Sequence, residues 1–294
     1  MAHKFGGQWT EVKLSILRDY LNFYTTALKN KYFDLIYIDA FAGTGEREQK
    51  IEAAPILNEE EEIQIKAGSV RIALETTPPF SSYHFIEKKP SHVERLKQVI
   101  AEPKYKDLKI NVYQGDANEK LQEIISQQFQ QKNKRAVLFL DPYGLSVEWK
   151  VLEAINSTQR VDVWFLFSLS GLYRNASLDF EKIEDYKKEC INQIFGSAEW
   201  QRIFYTNEYQ PAQGDLFGLA PTTTNKINRT AAVPELEAYV YQRLSSLFHY
   251  VEKPVALPRI GGQLFSLFLC VSNPNEKAVA LARKVAQHII QKNH

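Results

Sequence analysis

Five short apolar runs in the first part of this chain, each divided from the next by a helix-length amphipathic stretch, limit what it can fold into. They cover residues 35–39, 83–87, 108–114, 136–141 and 161–168. An apolar run without alternation suits a strand buried on both faces, and strands alternating with helices imply right-handed crossovers and a mainly parallel sheet. Helices are expected over 91–100, 118–132 and 147–155, and a further short one over 68–75 before the break at Pro78-Pro79. Ahead of the first run, Val12, Leu14, Ile16, Leu17, Leu21, Tyr24 and Leu28 fall near one stripe, so residues 9–29 read as a leading helix with Thr10 as its N-cap.

The rhythm breaks over 171–231, where a mixed helical part (178–204) runs into a polar, turn-rich loop (207–229) expected to close over a substrate. A helix over 235–248 follows, then strands at 251–257 and 264–271 around the turn Gly261-Gly262, and a last helix at 276–291. Two strands joined by a short turn are antiparallel neighbours. The expected fold is therefore α/β and Rossmann-like, with seven mainly parallel strands, one of them antiparallel, and helices on both faces. It reads as a single domain over 1–294 with insertions at 46–82 and 171–231. The first insertion is acidic at 59–62, and residues 46–66 read as solvated.

Composition excludes some classes. Lys and Arg number 36 against 35 Asp and Glu, a net charge of +1, so no global basic field advertises nucleic acid, although a local groove remains possible on a neutral protein. The pair Cys190 and Cys270 offers no disulfide framework, the start lacks an apolar signal core, and no run approaches a membrane span. The chain is expected to be cytoplasmic. Its 6 histidines have no metal-ligand spacing, and no metal is expected.

Four of the strand-like runs end in acidic or glycine-bearing segments. Asp39-Ala-Phe41-Ala-Gly43-Thr-Gly45 closes the first. Its glycines let backbone approach a ligand without a Cβ clash, and Asp39 can accept from an ammonium or hydroxyl; the alternative is a tight strand–helix turn without a ligand. Glu87, followed by Lys88, ends the second, where a carboxylate can take both hydroxyls of a ribose or simply cap a helix. In Gly115-Asp116-Ala117-Asn118, Asp116 can accept from an adenine amino group while the Ala117 N–H meets a ring nitrogen; equally, Asp116 or Asn118 is the N-cap of the next helix.

Asp141-Pro142-Tyr143-Gly144 ends the fourth run. An exocyclic amine on a nucleobase is a poor nucleophile, because its lone pair is delocalised into the ring. A carboxylate and a carbonyl fixed by proline can accept its two N–H bonds and aim the lone pair, with Tyr143 stacked on the ring. The same four residues also make a good β-turn. Taken in order, the segments fit a class I methyltransferase that binds S-adenosylmethionine through Asp39, Phe41, Gly43, Gly45, Glu87, Lys88, Asp116 and Ala117. Asp141, Pro142 and Tyr143 would hold the acceptor amine, Tyr173 and Arg174 are substrate candidates, and Lys13 is a candidate for the cofactor carboxylate. A nicotinamide oxidoreductase disagrees with the glycine pattern and the closing hairpin.

The chain resembles the three-Cys-motif partner family of bacterial proteins. The likeness rests on Trp9-x-x-x-Lys13, the segment from Tyr37 to Gly45, Phe85-Ile-Glu-Lys88, Gly115-Asp-Ala-Asn118 and Phe139-Leu-Asp-Pro-Tyr-Gly144. It implies a methyltransferase-like fold and association with a companion protein carrying a three-cysteine, radical-SAM-like motif, so a non-catalytic cofactor-binding subunit stands as the second reading. Asp-Pro-Tyr-Gly is also similar to the Asp-Pro-Phe-Gly motif of tRNA guanosine dimethyltransferases. It lacks the second proline of the Asp-Pro-Pro-Tyr form found in adenine-amino methyltransferases. By that analogy guanine is at least as plausible an acceptor as adenine, in RNA or DNA.

Overall fold

The structure is a computed structural model that describes residues 8–29, 31–51, 62–208, 226–257 and 262–293. Helix α1 (Gln8–Leu28) precedes strand β1 (Asp34–Asp39), and β2 (Glu46–Ile51) with β3 (Glu62–Ala67) forms an antiparallel pair after it. Next come α2 (Ser69–Leu74), β4 (Ser82–Glu87), α3 (Pro90–Ile100), β5 (Ile110–Gln114), α4 (Ala117–Gln128), β6 (Lys134–Leu140), α5 (Trp149–Ser157) and β7 (Val161–Phe167). The remainder holds α6 (Leu169–Asn175), α7 (Asp185–Phe195), α8 (Glu199–Phe204), paired β8 (Tyr205–Glu208) and β9 (Lys226–Arg229), and α9 (Val233–Leu247). Strands β10 (Tyr250–Val251), β11 (Val255–Leu257) and β12 (Phe265–Val271) and helix α10 (Glu276–Lys292) end the chain.

The main sheet runs β10–β12–β7–β6–β1–β4–β5, with β11 also on β12. From β7 to β5 all neighbours are parallel, whereas β12 is antiparallel to β7 and to both β10 and β11. The strand expected over 251–257 is thus broken in two at Glu252–Pro254. Proline brings no N–H to a ladder, yet Glu252 N still donates to Leu269 O at 2.9 Å, so the halves occupy one edge position. Counted that way the sheet has the expected seven places, one strand antiparallel.

Side-chain alternation explains why the inner strands are apolar throughout. Ile36, Ile38, Ala136, Leu138, Val163 and Phe165 face a core shared with α4 to α9. Their neighbours Leu35, Tyr37, Val137, Phe139, Trp164 and Leu166 face another, shared with α1, α2 and α10. The aromatics Trp164, Phe165 and Phe167 are core residues.

Three expectations change. Thr10 lies inside α1, which begins at Gln8, so it does not cap that helix. Residues 46–66 are not simply a solvated stretch: their described part is the β2–β3 pair, while 52–61, with most of the acidic run, lie outside the described residues. The chain leaves the glycine turn at Glu46 and returns opposite it at Ala67, so α2 starts beside Gly45 and buries Val70, Ile72, Ala73 and Leu74. The segment 46–82 therefore also supplies core. Of the loop expected over 207–229, the two ends pair as β8 and β9 and residues 209–225 lie outside the described residues, as does Gly261 of the expected turn. No helix among the described residues is long and apolar enough to cross a membrane.

Candidate functional site

Because β5, β4, β1 and β6 are parallel neighbours, the loops that leave their C-terminal ends share one edge. Register sets their heights: Asp39 is level with Phe85 on one side and Phe139 on the other, and Glu87 is level with Gln114. Glu87 and Asp141 therefore stand two residues above Asp39, and Asp116 two above Gln114. Ligands bind open α/β sheets at this edge.

On one face lies a cleft of about 200 Å³ whose walls include Ala40, Phe41, Glu87, Lys88, Asp116, Ala117 and Tyr143. That is the space of roughly seven waters, which suits a planar ring better than a single ion. Gly43 and Gly45 turn the chain at its rim with φ of +59° and +79°, a region that favours glycine, and a Cβ at Gly43 would meet nothing within 4 Å. Glu87 is buried, and both of its oxygens are engaged: Oε2 accepts from Gly43 N at 2.9 Å and Oε1 from Lys89 N at 2.7 Å. The carboxylate thus staples the glycine turn to the end of β4. Each oxygen retains a lone pair that a ribose hydroxyl can use.

Asp116 is the N-cap of α4, accepting from Asn118 N at 3.0 Å, and Lys88 Nζ sits 3.2 Å from its other oxygen. These donors hold its carboxyl below the usual range against the opposing effect of partial burial. Asn118 reaches the loop after β6, donating to Ser146 O at 2.8 Å and accepting from Glu148 N at 3.0 Å. Sequence reasoning gave Asn118 a capping role at most; its contacts span 28 and 30 residues, beyond any local signal.

A second cluster lies on the α1 side of β1. Asp39 has no solvent exposure; Oδ1 accepts from Phe41 N at 3.1 Å, while Oδ2 and the neighbouring Tyr37 hydroxyl have no hydrogen-bond partner among the described residues. Burial pushes the Asp39 carboxyl up to about 7, and the Asp141 carboxylate adds to that. Lys13, reaching in from α1 with 6% of its side chain exposed, places Nζ 2.5 Å from Asp141 Oδ2. Its Nζ lies 5.3 Å from the centroid of the Trp9 ring and 5.9 Å from that of Phe139. Asp141 keeps 30% of its side chain exposed. Pro142 is buried, and Tyr143 is 78% exposed with its ring at the mouth of the cleft.

The structure therefore gathers Asp39, Phe41, Gly43, Gly45, Glu87, Lys88, Asp116, Ala117 and the Asp141–Tyr143 loop at one edge. Tyr173 and Arg174 are not among the cleft's walls. Tyr173 stacks against the Arg229 guanidinium at 3.7 Å, and Arg174 lies in the last turn of α6, exposed. A nucleoside-bearing sulfonium compound fits on two observations. The cleft offers the Glu87 and Asp116 carboxylates to a sugar and a base, and the backbone at Gly43 is open, with nothing within 4 Å of a Cβ built there.

No family model matches the chain, and no curated protein matches it. Among solved structures, the Legionella pneumophila protein LPL1258, of family DUF519, is similar over 97% of this chain and 92% of its own, with 13% identity and a TM-score of 0.52. Human methyltransferase-like protein 13, solved with SAH, is similar over 96% of this chain and 90% of its own, with 12% identity and a TM-score of 0.41. An S-adenosylmethionine-dependent methyltransferase from Clostridium acetobutylicum is similar over 87% of this chain and 91% of its own, with 8% identity and a TM-score of 0.35. At such identities a likeness bears on fold alone. The sheet order, with its single antiparallel strand beside β7, is that of the Rossmann-like class I methyltransferase fold.

Proposed function

We propose that this protein is an S-adenosylmethionine-dependent methyltransferase whose acceptor is an exocyclic amino nitrogen of a nucleobase in RNA or DNA. The Asp141-Pro142-Tyr143 loop carries this reading. Asp141 Oδ2 is taken by Lys13, and no donor among the described residues reaches Oδ1 or the Pro142 carbonyl. Two acceptors on adjacent residues, the second a proline of fixed φ, suit the two N–H groups of one amine. The exposed Tyr143 ring offers a stacking surface at the cleft mouth.

When bound, S-adenosylmethionine supplies a methyl carbon made electrophilic by its sulfonium sulfur. Asp39, the Gly43–Gly45 turn, Glu87 and Asp116 would hold it, with Glu87 accepting from the sugar and Asp116 from the base. Asp141 Oδ1 and the Pro142 carbonyl accept the amine N–H bonds and turn the nitrogen lone pair toward the methyl. The nitrogen would gain the carbon as the methyl–sulfur bond breaks, the electron pair of that bond staying on the sulfur of the departing S-adenosylhomocysteine, and would shed one proton, which Asp141 would accept and return to water. Positioning and proton acceptance of this kind contribute about 10²- to 10⁴-fold. A base within a duplex must first be splayed out, at the cost of its stacking.

Calorimetry with S-adenosylmethionine, run beside transfer of a labelled methyl group to bulk RNA and DNA, tests the proposal. Asp141→Ala should lower transfer by ~10²-fold or more while cofactor affinity stays within a few-fold. Parallel loss of binding and turnover would count against the role given to Asp141. The second reading, a cofactor-binding subunit without transfer activity that works beside a three-cysteine companion, is favoured by the net charge of +1, which gives no global attraction to a nucleic acid. Binding without transfer, with and without such a companion, would select it.

A further inference from the structure

A buried ammonium usually has several partners, because each of its N–H groups loses water on burial. Lys13 departs from this: the hydrogen bond to Asp141 Oδ2 is its only one among the described residues, and two aromatic faces fill the space beside it. A buried ion pair is weak evidence for stability, since desolvation can outweigh attraction and an apolar pair of similar volume often serves as well. Lys13 and Asp141 are 128 residues apart, so the pairing is made by the fold and not by local geometry. It falls at the one carboxylate in the acceptor loop.

We infer that Lys13 is a positioning residue for Asp141: it occupies Oδ2 and fixes the carboxylate rotamer, so that Oδ1 is the oxygen presented to the acceptor amine. This rests on the methyltransferase reading above and deepens it. Asp141 follows the end of β6 with 30% of its side chain exposed, and without a fixed partner a side chain that exposed is free to change rotamer. The charged groups around it are few. Asp39 and Lys13 lie on the α1 side, and Tyr143, two residues on, feels the Asp141 charge. Of these Lys13 alone can donate to a carboxylate as a cation. With 6% of its side chain exposed, Lys13 has little freedom to follow a moving partner.

The test compares Lys13→Met, Lys13→Arg, Asp141→Ala and the double variant Lys13→Met/Asp141→Ala in the full chain. S-adenosylhomocysteine binding is read by calorimetry and methyl transfer by label. Met keeps an unbranched apolar side chain in this buried place, and a thermal melt checks that each variant folds. Lys13→Met should lower kcat by about 100-fold with KM for the acceptor and S-adenosylhomocysteine affinity within a few-fold. Lys13→Arg should recover most of that loss. The double variant should be no slower than Asp141→Ala alone, because two residues acting as one unit are not additive. Three results would overturn the inference: a Lys13→Met variant with unaltered kcat, a tenfold or greater loss of S-adenosylhomocysteine affinity (which would assign Lys13 to the cofactor), or additive losses in the double variant. A wild-type chain that binds S-adenosylhomocysteine but transfers nothing removes the proposed function and this inference together. Transfer by wild type and Lys13→Met alike removes the inference alone.

Discussion

Asp39 carries its carboxyl into a place without water, and the consequence is a stability that depends on pH. Unfolded, the group titrates near its ordinary value of 3.8; folded, burial moves it up to about 7. Between those values the folded chain holds a proton that the unfolded chain has released. The contribution to stability is therefore complete below about 3.8, declines as pH rises toward about 7, and is level above it. Asp39→Asn removes the ionisable group, so its stability relative to wild type should grow across that window, by at most about 4 kcal/mol. Denaturant titrations at a series of pH values measure it, and a gap that stays constant with pH would refute the assignment. The presence of acids at strand ends was legible, since Asp39, Glu87, Asp116 and Asp141 each stand where an apolar run stops. What each oxygen does was not. The donor to Glu87 Oε2 is the N–H of Gly43, 44 residues earlier, and only the crossing of two loops at one sheet edge brings them together.

The β2–β3 pair shows how an element can interrupt a familiar crossover without displacing it. A Cβ on Gly68 would lie 2.9 Å from Gly45 O, a backbone atom that cannot swing aside, although the φ of −83° at Gly68 is open to any residue. Space, not dihedral freedom, makes this position glycine. Gly68→Ala should therefore destabilise by about 1–3 kcal/mol through overpacking, and it should also weaken cofactor binding because the Gly43–Gly45 turn must give way. Thermal unfolding with calorimetry checks both, and an unchanged midpoint would show that the two backbones part without cost. Arg71 ties the same junction down, bridging Glu46 beside the turn to Glu102 after α3. The strands themselves were hard to read because β2 and β3 pair only with each other, outside the main sheet. Paired that way, they need no apolar run, and Glu46, Arg47, Glu48, Gln49 and Lys50 resemble a solvated stretch. The buried strands of the main sheet had the opposite character and were readable for that reason.

Across the whole molecule, the first and last helices meet on one face of the sheet. Lys292 Nζ lies 2.8 Å from Asp19, and Trp9 stacks on Phe265 of the final strand with centroids 4.9 Å apart. Helix α1 thus ties the core to the sheet edge: it buries Leu14, Ile16, Leu17, Tyr20, Leu21 and Tyr24, each no more than 7% exposed, and carries Lys13 to Asp141 in the loop after β6. Each fully buried side chain of this size stabilises by roughly 1.5–3 kcal/mol, so six are worth on the order of 10 kcal/mol even after allowing for a compact unfolded chain. The net stability of a domain is about 5–15 kcal/mol. Losing α1 should consequently abolish the folded state, not merely trim a terminus. A chain lacking residues 1–28 should show no cooperative melting transition and should bind a hydrophobic dye, because the apolar faces of Tyr37, Val137, Phe139 and Trp164 would meet solvent. If that truncated chain instead melted cooperatively within a few degrees of the full one, α1 would be an accessory to the sheet. Loss of transfer on its removal would then report on Lys13 and Trp9 alone.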